Sequence, residues 1–182
     1  MKGAFMKILH TSDLHLASPL TARLTGEKLR TRRGELSLLF ERVSEEAVYR
    51  GARVMIIAGA LFDTERISQR ERSRIFETVE KYPELDFLYL PGNHEGETLT
   101  AGREELPENL KIFGKKWTYF DYGTVRIGGR SELSSDMFES FEGDTERKNI
   151  AVLHGAVSER SSEETVGLRD AAGRGIDYLA LG

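Results

Sequence analysis

The sequence predicts an α/β domain, and three observations carry that expectation. Short apolar runs alternate with amphipathic stretches along the chain. The run Val54 to Ile57 is apolar at every position, as a strand covered on both faces of a parallel sheet requires. Polar residues able to bind or catalyse follow directly on several of the runs, and the tips of parallel strands converge on one edge of a sheet.

Taken in order, "FMKILHTS" reads as a first strand, followed by a polar loop through Thr31. From Arg33 to Arg50, Leu36, Leu39, Phe40, Val43 and Ala47 fall at helical spacing, and Gly51 is a stop signal. "RVMIIAG" is a second strand. Ser68-x-x-Glu71 is a capping box that opens a helix to about Lys81, with Ile75, Phe76 and Val79 facing inward and Glu77 poised to pair with Lys81. "DFLYLPG" is a third strand. After it come the shorter strands "LKIFG", "WTYFDYGTVRIGG" (a hairpin turning near Asp121 to Gly123), "KNIAVLHG" and "DYLALG". No internal repeat, low-complexity tract or linker interrupts them, so residues 1–182 are expected to be one domain. A domain rarely stops at the tip of a central strand, and the expectation is that its C-terminal part is missing.

Composition narrows the function. With 39% hydrophobic and 31% charged residues, the 182-residue chain can bury a core. A formal charge of −4 does not suggest wholesale binding of nucleic acid, so any DNA contact must come from local basic patches. The absence of cysteine excludes disulfides and thiolate metal sites and fits a reducing, cytoplasmic setting. No signal-peptide core or membrane-length apolar run is present.

The chemistry lies in a constellation. Three of the four histidines, His15, His94 and His154, sit just past expected strands. Asp13 precedes His15 by two positions, Asn93 adjoins His94, and Asp63 follows the second strand. Brought to one edge, they would offer imidazole, carboxylate and amide oxygen without thiolate, a donor set that suits Mn, Fe, Zn or Ni. Each piece alone reads more readily as turn chemistry or a satisfied strand-end residue. Their occurrence together, at successive strand ends, reverses that balance.

The series "DLH", "GALFD", "GNHE", "LHG" and "LALG" resembles the calcineurin-like metallophosphoesterase superfamily, and within it most resembles the SbcD-type DNA-repair exonuclease subunit. The resemblance covers nearly the whole chain. It implies an α/β/β/α sandwich of two mixed sheets flanked by helices, and two divalent ions, commonly manganese in relatives. By resemblance, Asp13 and His15 would hold one ion, Asn93 and His154 the other. His94 would be the catalytic histidine beside the phosphate, with Asp63 orienting it. The family's nucleases act on DNA, partner an SbcC-type ATPase with a coiled-coil arm, and commonly form homodimers. The helix from Ser68 to Lys81 is the candidate dimer contact.

The chain departs from the family pattern twice. Ala60 stands where the family carries the aspartate that bridges both ions, and the closing Gly-His-x-His is absent after its glycine, Gly182. Both departures remove metal donors, so weak or absent metal binding and weak or absent hydrolysis are expected. An engineered substitution, a natural loss of function and harmless variation remain open as readings of Ala60. A basic loop carries Arg23, Lys28, Arg30, Arg32 and Arg33, and Arg66, Arg70, Arg72 and Arg74 follow the second motif. Both suit a nucleic-acid path or, equally, a solvated charged surface. Two other functions compete: a generic phosphoesterase for small phosphodiesters or phosphoproteins, and a catalytically dead scaffold for DNA or a partner.

Overall fold

The computed structural model describes residues 6–20, 26–63, 67–92, 95, 98–103 and 105–182. In chain order the elements are β1 (Lys7–Thr11), α1 (Gly26–Ser37), α2 (Leu39–Tyr49), β2 (Ala52–Ala58), α3 (Gln69–Lys81), β3 (Asp86–Leu90), β4 (Leu110–Ile112), β5 (Thr118–Tyr122), β6 (Val125–Gly129), β7 (Lys148–Leu153), β8 (Ala156–Ser158), β9 (Thr165–Gly167), α4 (Leu168–Ala171) and β10 (Tyr178–Leu181). The first sheet has the order β1-β2-β3-β4 and is parallel at every pairing. The second has the order β10-β7-β6-β5, antiparallel between β5 and β6 and parallel elsewhere.

The apolar run in β2 explains the layering. Val54, Ile56 and Ala58 join Leu88, Leu90, Ile127 and Val152 in a core between the two sheets. Met55 and Ile57 point the other way, into a core shared with Phe40 and Ala47 of α2 and Ile75, Phe76 and Val79 of α3. Side chains alternate across a strand, so a strand covered on both faces must be apolar at every position. A third cluster, which includes Met137, Phe138, Leu153, Val166 and Ala171, lies outside the second sheet. The result is the layered α/β sandwich expected, with sheets flanked by helical segments.

The local signals hold where the chain itself supplies the partner. Ser68 caps α3: its Oγ accepts from Glu71 N at 3.2 Å, and Glu71 Oε2 accepts from Ser68 N at 3.0 Å. Gly51 ends α2 at φ 71°, a conformation that favours glycine.

Three expectations are corrected. The single helix from Arg33 to Arg50 is two helices broken at Leu38, and α1 begins earlier, at Gly26, inside the expected loop. No residue of α1 is fully buried and only Leu36, near its end, packs on the core, so its first turns have no apolar stripe from which periodicity could locate them. Lys81 pairs not with Glu77 but with Glu41 of α2, 2.8 Å away, because the packing of α2 on α3 supplies a partner across the interface. The hairpin turn falls between Tyr122 and Val125. Among the described residues, no helix is long and apolar enough to cross a membrane.

Candidate metal and phosphate site

Past Thr11 the chain continues alongside the segment that follows β2. Asp13 N donates to Gly59 O at 3.2 Å, His15 N to Ala60 O at 3.0 Å and Leu16 N to Leu61 O at 2.8 Å. Leu14 and Leu16 are buried, whereas Asp13 and His15 beside them are exposed. The alternation that anchors the leucines therefore sets carboxylate and imidazole out at the sheet edge. His15 Nδ1 lies 3.2 Å from Asp63 Oδ1, and Ser18 Oγ donates to Asp63 Oδ2 at 2.7 Å. An ionised carboxylate only accepts, so this contact puts the His15 proton on Nδ1 and leaves Nε2 as a lone pair, 3.8 Å from Asp13 Oδ1.

His154 arrives from the second sheet at the end of β7. Its Nδ1 lies 3.0 Å from the Ala58 carbonyl. A carbonyl only accepts, so Nδ1 carries the hydrogen and Nε2 is free to bind. Gly59, at φ 81°, makes this approach possible, since a Cβ there would overlap the His154 ring. Gly182 N donates to Leu153 O at 3.3 Å, and Gly155 N donates to Gly182 O at 2.9 Å, which sets the end of β10 over the same junction.

The backbone here is strained. Asp13, His15, Ala17, Leu20 and Ala60 all lie at φ between 46° and 63°. Aspartate and histidine tolerate that region better than alanine or leucine. Residues held so cluster at functional sites when their surroundings over-determine them. One such clamp is Glu95, only 3% exposed. Its carboxylate accepts from Phe62 N and Gly92 N, both at 2.5 Å, and so ties the segment after β2 to the tip of β3. Burial and this carboxylate push the nearby Tyr89 phenol above its ordinary range, which keeps it neutral.

The structure thus brings Asp13, His15, Ala60, Asp63 and His154 to the C-terminal edges of β1, β2 and β7 and the segments beyond them. Asn93 and His94 lie outside the described residues, and so does Arg23. Asp63, expected to orient His94, has its carboxylate on His15 and Ser18. Lys28, Arg30, Arg32 and Arg33 lie on α1 rather than on a loop. At about 100° per residue they sit at roughly 0°, 200°, 40° and 140° around its axis, so they surround the helix instead of forming a stripe. Arg32 pairs with Glu35 at 2.8 Å, and Arg33 donates to Pro19 O at 2.8 Å. Of the second patch, Arg72 donates to Ala101 O and Arg74 to Ser37 Oγ, both at 2.9 Å. Arg66 lies outside the described residues. Sequence reasoning assigned no role to Glu95 or Ser18. The only trace of Glu95 in the sequence is its place after His94 in "GNHE".

Among the described residues, no three histidine, aspartate or glutamate side chains are grouped to hold a metal ion. Asp13 and His15 present donors on one side, His154 presents Nε2 on the other, and Ala60 supplies a methyl group. The described residues do not fit a pair of ions bridged by a carboxylate at position 60, and no reaction step is derived through such a pair.

Of two solved structures that resemble this chain, the first supports the architecture. TT1561 of Thermus thermophilus is 16% identical over 85% of this chain and 72% of its own, at a TM-score of 0.53. The Pseudomonas putida nuclease MPE is 12% identical over 84% of this chain, at a TM-score of 0.43. This chain spans 65% of that nuclease's length. No curated protein matches. The family model described as calcineurin-like phosphoesterase, whose members usually bind divalent metals, matches residues 6–177. With the two-sheet sandwich already in place, that match over nearly the whole chain shows that it belongs to the calcineurin-like phosphoesterase family.

Proposed function

We propose that this chain is a metal-dependent phosphodiester hydrolase by descent, of the SbcD-type DNA exonuclease class, with hydrolysis weakened or lost at residue 60. The observation that carries this reading is Ala60, at φ 48° between the carbonyl contacts made by Asp13 and His15. It lies at the same sheet edge as Asp13, His15 and His154 and contributes no donor. In the family a metal pair supplies a hydroxide nucleophile and neutralises phosphoryl charge. Two unit charges 4 Å apart interact by ~4 kcal/mol at an effective dielectric near 20, so two dications would repel by roughly four times that. A shared carboxylate offsets part of this repulsion, and a methyl group offsets none.

The chain's own residues still do definable work. Asp63 holds His15 with Nε2 open, and the Ala58 carbonyl does the same for His154. Asn93 and His94 complete the site in this reading, as amide ligand and catalytic histidine. Manganese is the proposed ion, and DNA the proposed substrate, with Lys28, Arg30, Arg32 and Arg33 on α1, together with Arg23, along its path. An SbcC-type ATPase partner, a homodimer and a cytoplasmic location rest on resemblance and composition alone. A dimer contact through α3 would have to use its outer face, since Ile75, Phe76 and Val79 are in the core.

Isothermal calorimetry with manganese on this chain and on Ala60→Asp tests the reading. We expect at most one weak site in the former and a second or tighter one in the latter. Two tight sites in the unchanged chain, or equal hydrolysis of bis-p-nitrophenyl phosphate by both proteins, would overturn it. The same Ala60, in a chain that also carries the exposed basic helix α1, favours as second reading a catalytically dead DNA-binding scaffold. In that case Ala60→Asp would gain metal without gaining hydrolysis, while both proteins bind duplex DNA.

A further inference from the structure

Arg130 is 8% exposed yet makes no ion pair among the described residues, although the Asp136 carboxylate feels its charge from farther off. Its Nε donates to the Glu132 carbonyl at 2.6 Å, and its Nη2 reaches Ser134 Oγ only at 3.5 Å. That hydroxyl is itself committed to Asp136 Oδ1 at 2.8 Å. Arg126 and Arg147 show the usual arrangement, both resting on Asp121 at 2.8 and 3.0 Å. A buried guanidinium without a directly paired carboxylate is costly, and proteins normally pair such groups or reserve them for a ligand.

Arg130 lines a cleft of about 990 Å³. Phe113 and Leu133 form part of its wall, Lys115 stands at its rim, and Pro91 and Gly92 bound it on the side of the metal and phosphate site. Gly92 is where the two meet: a Cβ built there would lie 2.9 Å from Ala60 N. The exposed carboxylates at the rim, Glu132 and Glu163, balance the cleft's charge overall, but its buried charge is cationic.

We propose that this cleft binds a second, non-scissile phosphate of the substrate, with Arg130 as its anion anchor. The inference rests on the phosphodiesterase reading above. A chain of phosphodiesters passing residue 60 continues along Gly92 into the cleft, where a planar guanidinium can take two phosphate oxygens at once. Lys115 would add a second, solvent-screened charge. A ligand with a single phosphate should therefore bind here less tightly than one that spans both places.

Trp117 makes the test local. It is the only tryptophan in the chain, and the Arg130 guanidinium lies 5.9 Å from its ring centroid. A 5′-phosphorylated thymidine dinucleotide, which carries two phosphates, and inorganic phosphate are titrated in chelator, against sodium chloride of equal ionic strength, with calorimetry for affinity and Trp117 emission for place. The expected result is saturable dinucleotide binding that alters the emission and weakens at least tenfold in Arg130→Met. Arg130→Lys, which keeps charge and bulk but loses the fork, should weaken binding about threefold or more, and decides the matter if Arg130→Met does not fold. Unchanged affinity in the folded variants, or no saturable binding to the unchanged chain, overturns the cleft proposal. Manganese titration is read separately. Intact metal binding with no dinucleotide response sinks the cleft and leaves the family-site reading standing.

Discussion

Replacing Ala60 by glycine should stabilise the protein. Ala60 sits at φ 48°, where an L residue is disfavoured by about 1–2 kcal/mol. Glycine removes that strain but gives the unfolded chain more freedom, a loss of about 0.4–1 kcal/mol. The net gain is about 0.5–1 kcal/mol, or roughly 1–4 °C in Tm for a chain of this size. Ala60→Val should do the opposite, since a β-branched residue at positive φ is a true outlier. Ala60→Asp separates strain from charge. Aspartate tolerates this conformation, but without metal its carboxylate faces Asp13 and Asp63 across the same edge. Its melting temperature in chelator should be close to or below that of the unchanged chain. Manganese at about one hundred times its dissociation constant should then add about 2.7 kcal/mol. Thermal unfolding followed by circular dichroism, with chelator and with manganese, reads all four proteins. A glycine variant that melts more than about 2 °C below the unchanged chain, against the gain expected from relieved strain, would refute the reasoning, because it would show that the Ala60 backbone is not strained.

Three further outcomes are expected. Gly59→Ala places a Cβ in the His154 ring at φ 81°, so it should cost about 1–3 kcal/mol in urea unfolding and move the His154 imidazole signals in NMR spectra. Ser68→Ala removes the α3 cap and should cost about 1 kcal/mol by the same method, with no change in manganese binding. His10 Nε2 is buried without a hydrogen-bond partner among the described residues, and burial holds its pKa below the ordinary value, against the opposing pull of the Leu181 backbone. A histidine depressed in the folded state contributes stability that is full above the ordinary value near 6.5 and is lost as pH falls below it. Stability measured from about pH 7.5 to about pH 5, a window spanning that value, should therefore fall less in His10→Gln than in the unchanged chain.

What the sequence revealed depended on how far apart the interacting residues lie. The Ser68–Glu71 box, the Gly51 stop and the two-faced β2 run are written in neighbouring positions, and each forms in the structure. Parallel topology then made the strand-tip cluster legible, because Asp13, Ala60 and His154 each follow directly on an apolar run. The first half of helix α1 escaped periodicity, since none of the helix is fully buried and Leu36, near its end, is the apolar residue that packs on the core. Glu95 and Arg130 were missed for another reason. Glu95 matters through Phe62, 33 residues away, and Arg130 through a cleft assembled from several loops. Lys81 shows the same limit, since a partner on a neighbouring helix displaced the one four residues away.

The most direct test of the central claim is an anomalous difference map from crystals soaked in manganese. At most one manganese peak is expected, held by Asp13 and His15, with no ion beside the Ala60 methyl. Two strong peaks about 3.5–4 Å apart, spanning His15 and His154, would be a complete two-metal centre. They would contradict the claim that residue 60 has cost this chain its bridge.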